Sequence, residues 1–181
     1  MATLTVSNTN DAGLGSLRDA VIQANANAGA DTIVFNPTFF TGGAVNLIRL
    51  TSGRIAITDA VTINASAAGG VTITGDKNGN DVLVGGTAIT NVAASGAALL
   101  ADNSRIFTIA SGADTTLQSL TLTGGRTTGS TERGGAVFSQ APVTLIDSTV
   151  SGNSTAGNNA NGGGVASDTD ADQLHRARKS R

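Results

Sequence analysis

The feature that most constrains this chain is a self-similarity at one fixed spacing, the interval that carries Arg105 onto Arg133. Arg105-Ile106-Phe107-Thr108-Ile109 aligns with Arg133-Gly134-Gly135-Ala136-Val137, and that with Asn161-Gly162-Gly163-Gly164-Val165. Thr116-Leu117 aligns with Thr144-Leu145, Thr121 with Thr149, and Gly124 with Gly152. A period of this length marks stacked supersecondary units, each too small to bury its own apolar face. The aligned segments are short runs with period-two alternation, bounded by Gly, Asn, Ser and Asp, and so read as strands. They include Thr32–Phe35, Val45–Leu50, Arg54–Ile57, Val61–Asn64, Val71–Thr74, Ile106–Ile109, Thr116–Leu122, Gly135–Phe138 and Val143–Val150.

Strands this short, repeating without intervening helices, predict an all-β fold. The expected form is a single-stranded parallel β-helix, a solenoid in which each turn of chain stacks on the last at about 4.8 Å. An antiparallel sandwich is the competing reading, but it does not need the repeat. Right-handedness is expected from the general preference of parallel crossovers. Ser16–Ala26 carries the one good helix signal. Ser16 is a candidate N-cap with Asp19 three residues on, and Leu17, Ala20, Val21 and Ala24 share a face. That α-helix is expected to cap the first strand edge, which would otherwise invite aggregation. The expected organisation is therefore 1–30 as N-terminal strand and capping helix, 31–167 as β-helix turns, and 168–181 as a non-repeat tail that is disordered, foreign or a natural extension. The last turn, Gly162 to Ser167, has no matching cap, so homo-oligomers joined through that end are expected.

Composition narrows the function classes. The 181 residues include 24 Gly, 2 Pro and no Cys, with 3% aromatic and 13% charged residues. Without Cys there is neither a disulfide nor a thiolate metal site. The net charge is −2, and residues 1–167 hold seven Lys/Arg against ten Asp/Glu, so no basic patch suggests nucleic acid. No apolar run approaches the length of a membrane span. The N-terminus lacks the basic and apolar regions of a signal peptide.

The opening Thr5-Val6-Ser7-Asn8-Thr9-Asn10-Asp11-Ala12-Gly13-Leu14-Gly15-Ser16-Leu17-Arg18-Asp19-Ala20-Val21, followed by Ala30-Asp31-Thr32-Ile33-Val34-Phe35-Asn36, resembles the start of bacterial cell-surface β-helix proteins of the CSLREA and polymorphic outer-membrane-like types. Gly134-Gly135-Ala136-Val137 and Ser148-Thr149-Val150-Ser151-Gly152-Asn153 are similar to the turn motifs of that group. The resemblance covers most of residues 3–167. It implies a right-handed parallel β-helix, secretion or cell-surface display, and a structural or adhesive role toward a glycan or other surface ligand. It supplies no catalytic residues.

Three sets of residues are candidates for chemistry. Gly79-Asn80-Asp81-Val82-Leu83-Val84-Gly85-Gly86 resembles one nonapeptide of the calcium-binding repeats of toxin-type proteins. Asp76, Asn78, Asn80 and Asp81 place hard oxygens within six residues, which suits Ca²⁺ as the one expected cofactor. The motif occurs once and Lys77-Asn78 replaces its first glycine pair, so a polar turn is the alternative. Arg105 and Arg133, one repeat apart, would stack as a basic pair for an acidic glycan. Alternatively each pairs locally, with Asp102 or Glu132 as candidates. Catalysis by a polysaccharide hydrolase or lyase needs converging carboxylates. Here Asp59, Asp76, Asp81, Asp102, Asp114, Glu132 and Asp147 are scattered, and the repeat equivalent of Asp147 is Ser119. No Gly-x-Ser-x-Gly elbow occurs, and the one histidine, His175, lies in the tail. An enzyme, or a fragment without activity of its own, stays as an alternative to the adhesive reading.

Overall fold

The computed structural model describes residues 1–41, 46–79, 82–84, 87–89, 102–157 and 162–168. One α-helix, α1 (Leu17–Ala26), and one short 3-10 helix, Ser66–Ala68, lie among these residues, and everything else is strand, turn or loop. The strands are β1 (Thr3–Val6), β2 (Asp31–Phe35), β3 (Leu47–Arg49), β4 (Ile55–Ile57), β5 (Val61–Asn64), β6 (Val71–Thr74), β7 (Val82–Val84), β8 (Thr87–Ile89), β9 (Phe107–Ile109), β10 (Thr115–Gln118), β11 (Leu120–Thr123), β12 (Arg126–Thr127), β13 (Val137–Ser139), β14 (Val143–Ile146), β15 (Thr149–Val150), β16 (Ser154–Thr155) and β17 (Val165–Ser167).

They do not form the single parallel β-helix solenoid expected from the repeat. They divide into several short sheets. Among the described residues these are a five-stranded sheet (β1-β2-β5-β10-β14), two four-stranded sheets (β15-β11-β6-β3 and β17-β13-β9-β4) and the two-stranded pairs β12-β16 and β7-β8. All of these pairings are parallel except β7-β8, which is antiparallel. The reason lies in the spacing. Thr115 pairs on one side with Val143, one repeat onward, but on the other with Val61, almost two repeats back. The antiparallel pair falls inside that longer interval, so one uniform coil does not describe the chain. A second departure is local. Phe107 pairs with Val137, a longer step than the one from Val137 to its next partner, Val165. The alignment of Ile109 with Val137 is thus displaced by two, and Ile109 faces Ser139 instead. The β9–β10 connection, Ala110–Asp114, takes up the extra length, being longer than its counterpart Gln140–Pro142 between β13 and β14.

Two long sequence runs are also broken. Ser119 and Asp147 have φ of 55° and 48°, the left-handed region that non-glycine residues seldom adopt. Each turns the chain from the five-stranded sheet into the first four-stranded one. The runs Thr116–Leu122 and Val143–Val150 therefore become the pairs β10/β11 and β14/β15.

Parallel register places like residues above like. Leu4, Ile33, Ile63, Leu117 and Leu145 form one column across the five-stranded sheet. Ile48, Ile73, Leu122 and Val150 form a second, and Ile55, Phe107, Val137 and Val165 a third. These columns make the core, with Phe35 and Phe40 edge-to-face at 5.2 Å near one end. The Ser16 Oγ accepts from the Asp19 N–H at 3.1 Å, and α1 buries Leu17, Ala20, Val21 and Ala24 against β1, β2 and β4. At the other end the columns emerge: Leu145 is 41% and Val165 37% exposed. Asp168, assigned by sequence to the tail, continues the ladder through its N–H to the Ser139 carbonyl at 2.8 Å. The rest of that tail lies outside the described residues.

The column predicts an asymmetry. Leu117→Ala, in the fully buried layer, is expected to cost about 2–5 kcal/mol. Leu145→Ala, in the same column but half in water, should cost about 1 kcal/mol or less. Urea unfolding of both variants checks this, and equal losses would contradict the burial gradient.

Candidate functional site: a cationic cleft beside Arg105

Arg105 is only 9% exposed, although it carries a charge. Its Nε donates to the Gly134 carbonyl at 3.0 Å and its Nη2 to the Arg133 carbonyl at 2.8 Å. Its guanidinium carbon lies 5.4 Å from the centre of the Phe138 ring. The side chain therefore straps its own layer to the next while its charge stays close to a cleft. Burial lowers its proton affinity below the usual arginine value; Glu132 opposes the effect and Arg54 adds to it.

Arg133 does not join it. The displacement of the register removes their equivalence, and Arg133 turns away to Asp168, Nη1 to Oδ1 2.8 Å. The expected stacked Arg105–Arg133 pair is therefore absent. Only the Arg133 backbone carbonyl reaches Arg105.

Other cations take its place. A cleft of about 540 Å³ is lined by Ser52, Gly53, Arg54, Ala56, Lys77, Asn103, Ser104, Arg105, Arg126, Thr127, Thr128 and Glu132. Four of these side chains are basic and one is acidic. Arg54, Lys77 and Arg126 carried no sequence signal. They lie in separate turns of the chain, and only the stacking of strands brings them together.

One wall of the cleft is held by a polar clamp. The Asp11 carboxylate accepts from Arg18 Nη2 at 2.7 Å, from the Ser52 N–H at 2.7 Å and from the Thr51 hydroxyl at 3.1 Å. Arg18 also donates to the Gly53 and Arg54 carbonyls at 2.6 and 2.9 Å. The turn that presents Arg54 is thereby fastened to the loop preceding α1. Close approach supports the other side. A Cβ on Gly125 would strike the Gly135 carbonyl, and one on Gly135 the carbonyls of Gly163 and Ser154. Only glycine lets the layers meet there.

The calcium candidates are divided. Asp76 is buried and its carboxylate is engaged by Arg49 Nη1 at 2.9 Å and by the Gly79 N–H at 2.9 Å. The Asn78 N–H donates to Asp102 Oδ2 at 3.2 Å. Asn80 and Asp81 lie outside the described residues. Among the described residues no three His, Cys, Asp or Glu side chains gather as a metal site would require, and no helix is long and apolar enough to cross a membrane. Compared with known proteins, the chain matches no family, no curated protein and no solved structure.

The Asp11 clamp gives a pH prediction. Burial, the largest single influence, raises its carboxyl, but the bonds from Ser52 and Arg18 together outweigh burial and leave it below the ordinary value. A carboxyl lowered on folding adds stability at neutral pH, and that stability fades as the pH falls through the ordinary carboxylate range. Asp11→Asn is expected to cost about 1–3 kcal/mol at neutral pH. The gap from the parent should narrow toward about pH 3, as thermal melts across pH would show.

Proposed function

We propose that this chain is a structural and adhesive segment of a secreted or surface-displayed bacterial protein, one that holds a ligand without transforming it. The observation that carries this reading is where the carboxylates go. Asp11 is clamped by Arg18 and Ser52, Asp19 receives the Gly15 N–H, and Asp59 receives the Gly29 N–H. Asp76 binds Arg49, Asp102 binds the Asn78 N–H, and Asp168 binds Arg133. Each of these acids fastens one stretch of backbone to another. Among the described residues the cleft is lined by one carboxylate, Glu132, which accepts the Gly129 N–H at 3.1 Å. Acid–base cleavage of a glycosidic bond uses a pair. The resemblance of residues 5–36 to cell-surface proteins supports the placement outside the cell. Self-association belongs to the same reading: β14, β15 and β17 are edge strands at the end where Leu145, Ile146 and Val165 are exposed, and such edges invite pairing.

Two measurements test the reading. Incubated with acidic and neutral polysaccharides and with ester substrates, the chain should release no product. Turnover that disappears on Glu132→Gln would replace the adhesive reading with the enzymatic one. Light scattering at micromolar concentration should show a dimer or larger species, and a strict monomer would remove the self-association.

A further inference from the structure

The distribution of the cations goes beyond a generic adhesive surface. Seven Lys/Arg side chains lie among the described residues. Three are in ion pairs: Arg18 with Asp11, Arg49 with Asp76, and Arg133 with Asp168. The other four, Arg54, Lys77, Arg105 and Arg126, all line the one cleft. In a chain of net charge −2, chance would scatter the unmatched cations. Here they line the same cleft, with Glu132 the single acidic side chain among its described lining residues. Like charges held close are unfavourable until an anion enters between them.

We propose that this cleft binds an acidic polysaccharide, whose carboxylates lie against Arg54, Lys77 and Arg126 while its hydroxyls meet the polar rim.

Three further observations fit that ligand class. First, the lining residues hold unsatisfied polar groups: the Arg126 Nε, the Ser104 Oγ and the Oγ1 of Thr127, itself only 5% exposed, are buried without a hydrogen-bond partner. Buried polar groups are ordinarily paired, and these leave hydrogen-bonding capacity in the cleft's lining residues. Second, the cations lie on different layers. Arg54 directly precedes β4, Arg105 lies two residues before β9, and β4 and β9 are neighbours in one sheet. Arg126 belongs to β12, which pairs with β16. Adjacent strands are about 4.8 Å apart, so the charges are spread along the stack and suit a chain of anions better than a single phosphate. Arginine forks also match planar carboxylates. Third, the rim carries Ser52 and Thr128, which suit sugar hydroxyls, and among the described residues no aromatic side chain lines the cleft. The Phe138 ring lies against Arg105. Single-stranded nucleic acid favours a stacking platform that this cleft lacks.

The inference rests on the adhesive reading only in taking the ligand to be held and not cut. Calorimetric titration of the full chain with polygalacturonate oligomers, neutral dextran and a single-stranded DNA oligonucleotide separates the possibilities. Polygalacturonate is expected to bind, and to weaken about tenfold or more in 0.5 M salt, a buffer condition chosen to shorten the screening length to roughly 4 Å. The double variant Arg54→Gln/Arg126→Gln should lose about tenfold in affinity with an unchanged melting temperature. Arg133→Gln, outside the cleft, should not change binding. Glu132→Gln removes the one negative charge and should tighten binding about threefold, a readout that survives if the double variant misfolds. Dextran binding as well as polygalacturonate would overturn the acidic class while sparing the adhesive reading. Tighter binding of DNA, or a Glu132→Gln variant that binds no better, would overturn the site. Shortening of the polygalacturonate by the parent chain would overturn the non-catalytic reading and leave the site in place.

Discussion

Parallel, in-register backbone hydrogen bonding is the constraint on which the rest of this structure depends. Once Ile63 lies over Ile33, and Leu117 over Ile63, each layer repeats the chemistry of the one before it. Apolar columns then fill the interior with very few aromatic side chains. The same spacing sets the cost of the turns. Where layers approach closely, as at Gly125 and Gly135, no side chain fits. Where the chain must swing between sheets, Ser119 and Asp147 accept a left-handed backbone. A ladder of this kind also amplifies position. Leu117 and Leu145 share a column and a residue type, yet one is sealed and the other half in water, because among the described residues only Leu117 has a layer on both sides.

Much of this was legible in the sequence, for reasons that are local. The helix at Leu17–Ala26 announces itself by its cap and its apolar face, and both are made within a few residues. The strands at Val61–Asn64 and Val71–Thr74 are bounded as their alternation suggests. The repeat correctly pairs Thr116 with Thr144 and Thr121 with Thr149. What the repeat could not convey is how constant it is. A self-similarity of one period is silent about the longer step from Phe107 to Val137 and the far longer one from Val61 to Thr115. It is silent, too, about an antiparallel pair within that last interval. One period does not extend into a uniform solenoid, because loop length is free to vary wherever the registered strands still meet.

The site was legible only in part. Arg105 stood out by its place in the repeat, and it is buried and lines the cleft. Arg133 stood out for the same reason and lies elsewhere, because a small displacement of register is enough to aim a side chain at a different partner. Arg54, Lys77 and Arg126 have no shared motif and no common spacing. Their association is a property of stacking, and a linear pattern carries no trace of it. The Asp76 turn illustrates the converse. Its acids and amides sit close in sequence and suggested an ion, while the folded chain gives Asp76 an arginine 27 residues away.

Fold and site are finally linked by how the acids are deployed. Asp11, Asp76 and Asp168 each neutralise one arginine, and each of those pairs ties together segments far apart in the chain or beside a turn. The paired charges are structural, and the unmatched ones are left for the cleft. The Asp11–Arg18 clamp does both jobs at once, since Arg18 also holds the carbonyls of Gly53 and Arg54. Any change that frees Asp11 also loosens the turn that presents Arg54. Acid should therefore weaken the cleft in two coupled ways: by protonating the carboxylates of a bound polyanion, and by releasing the wall against which they rest.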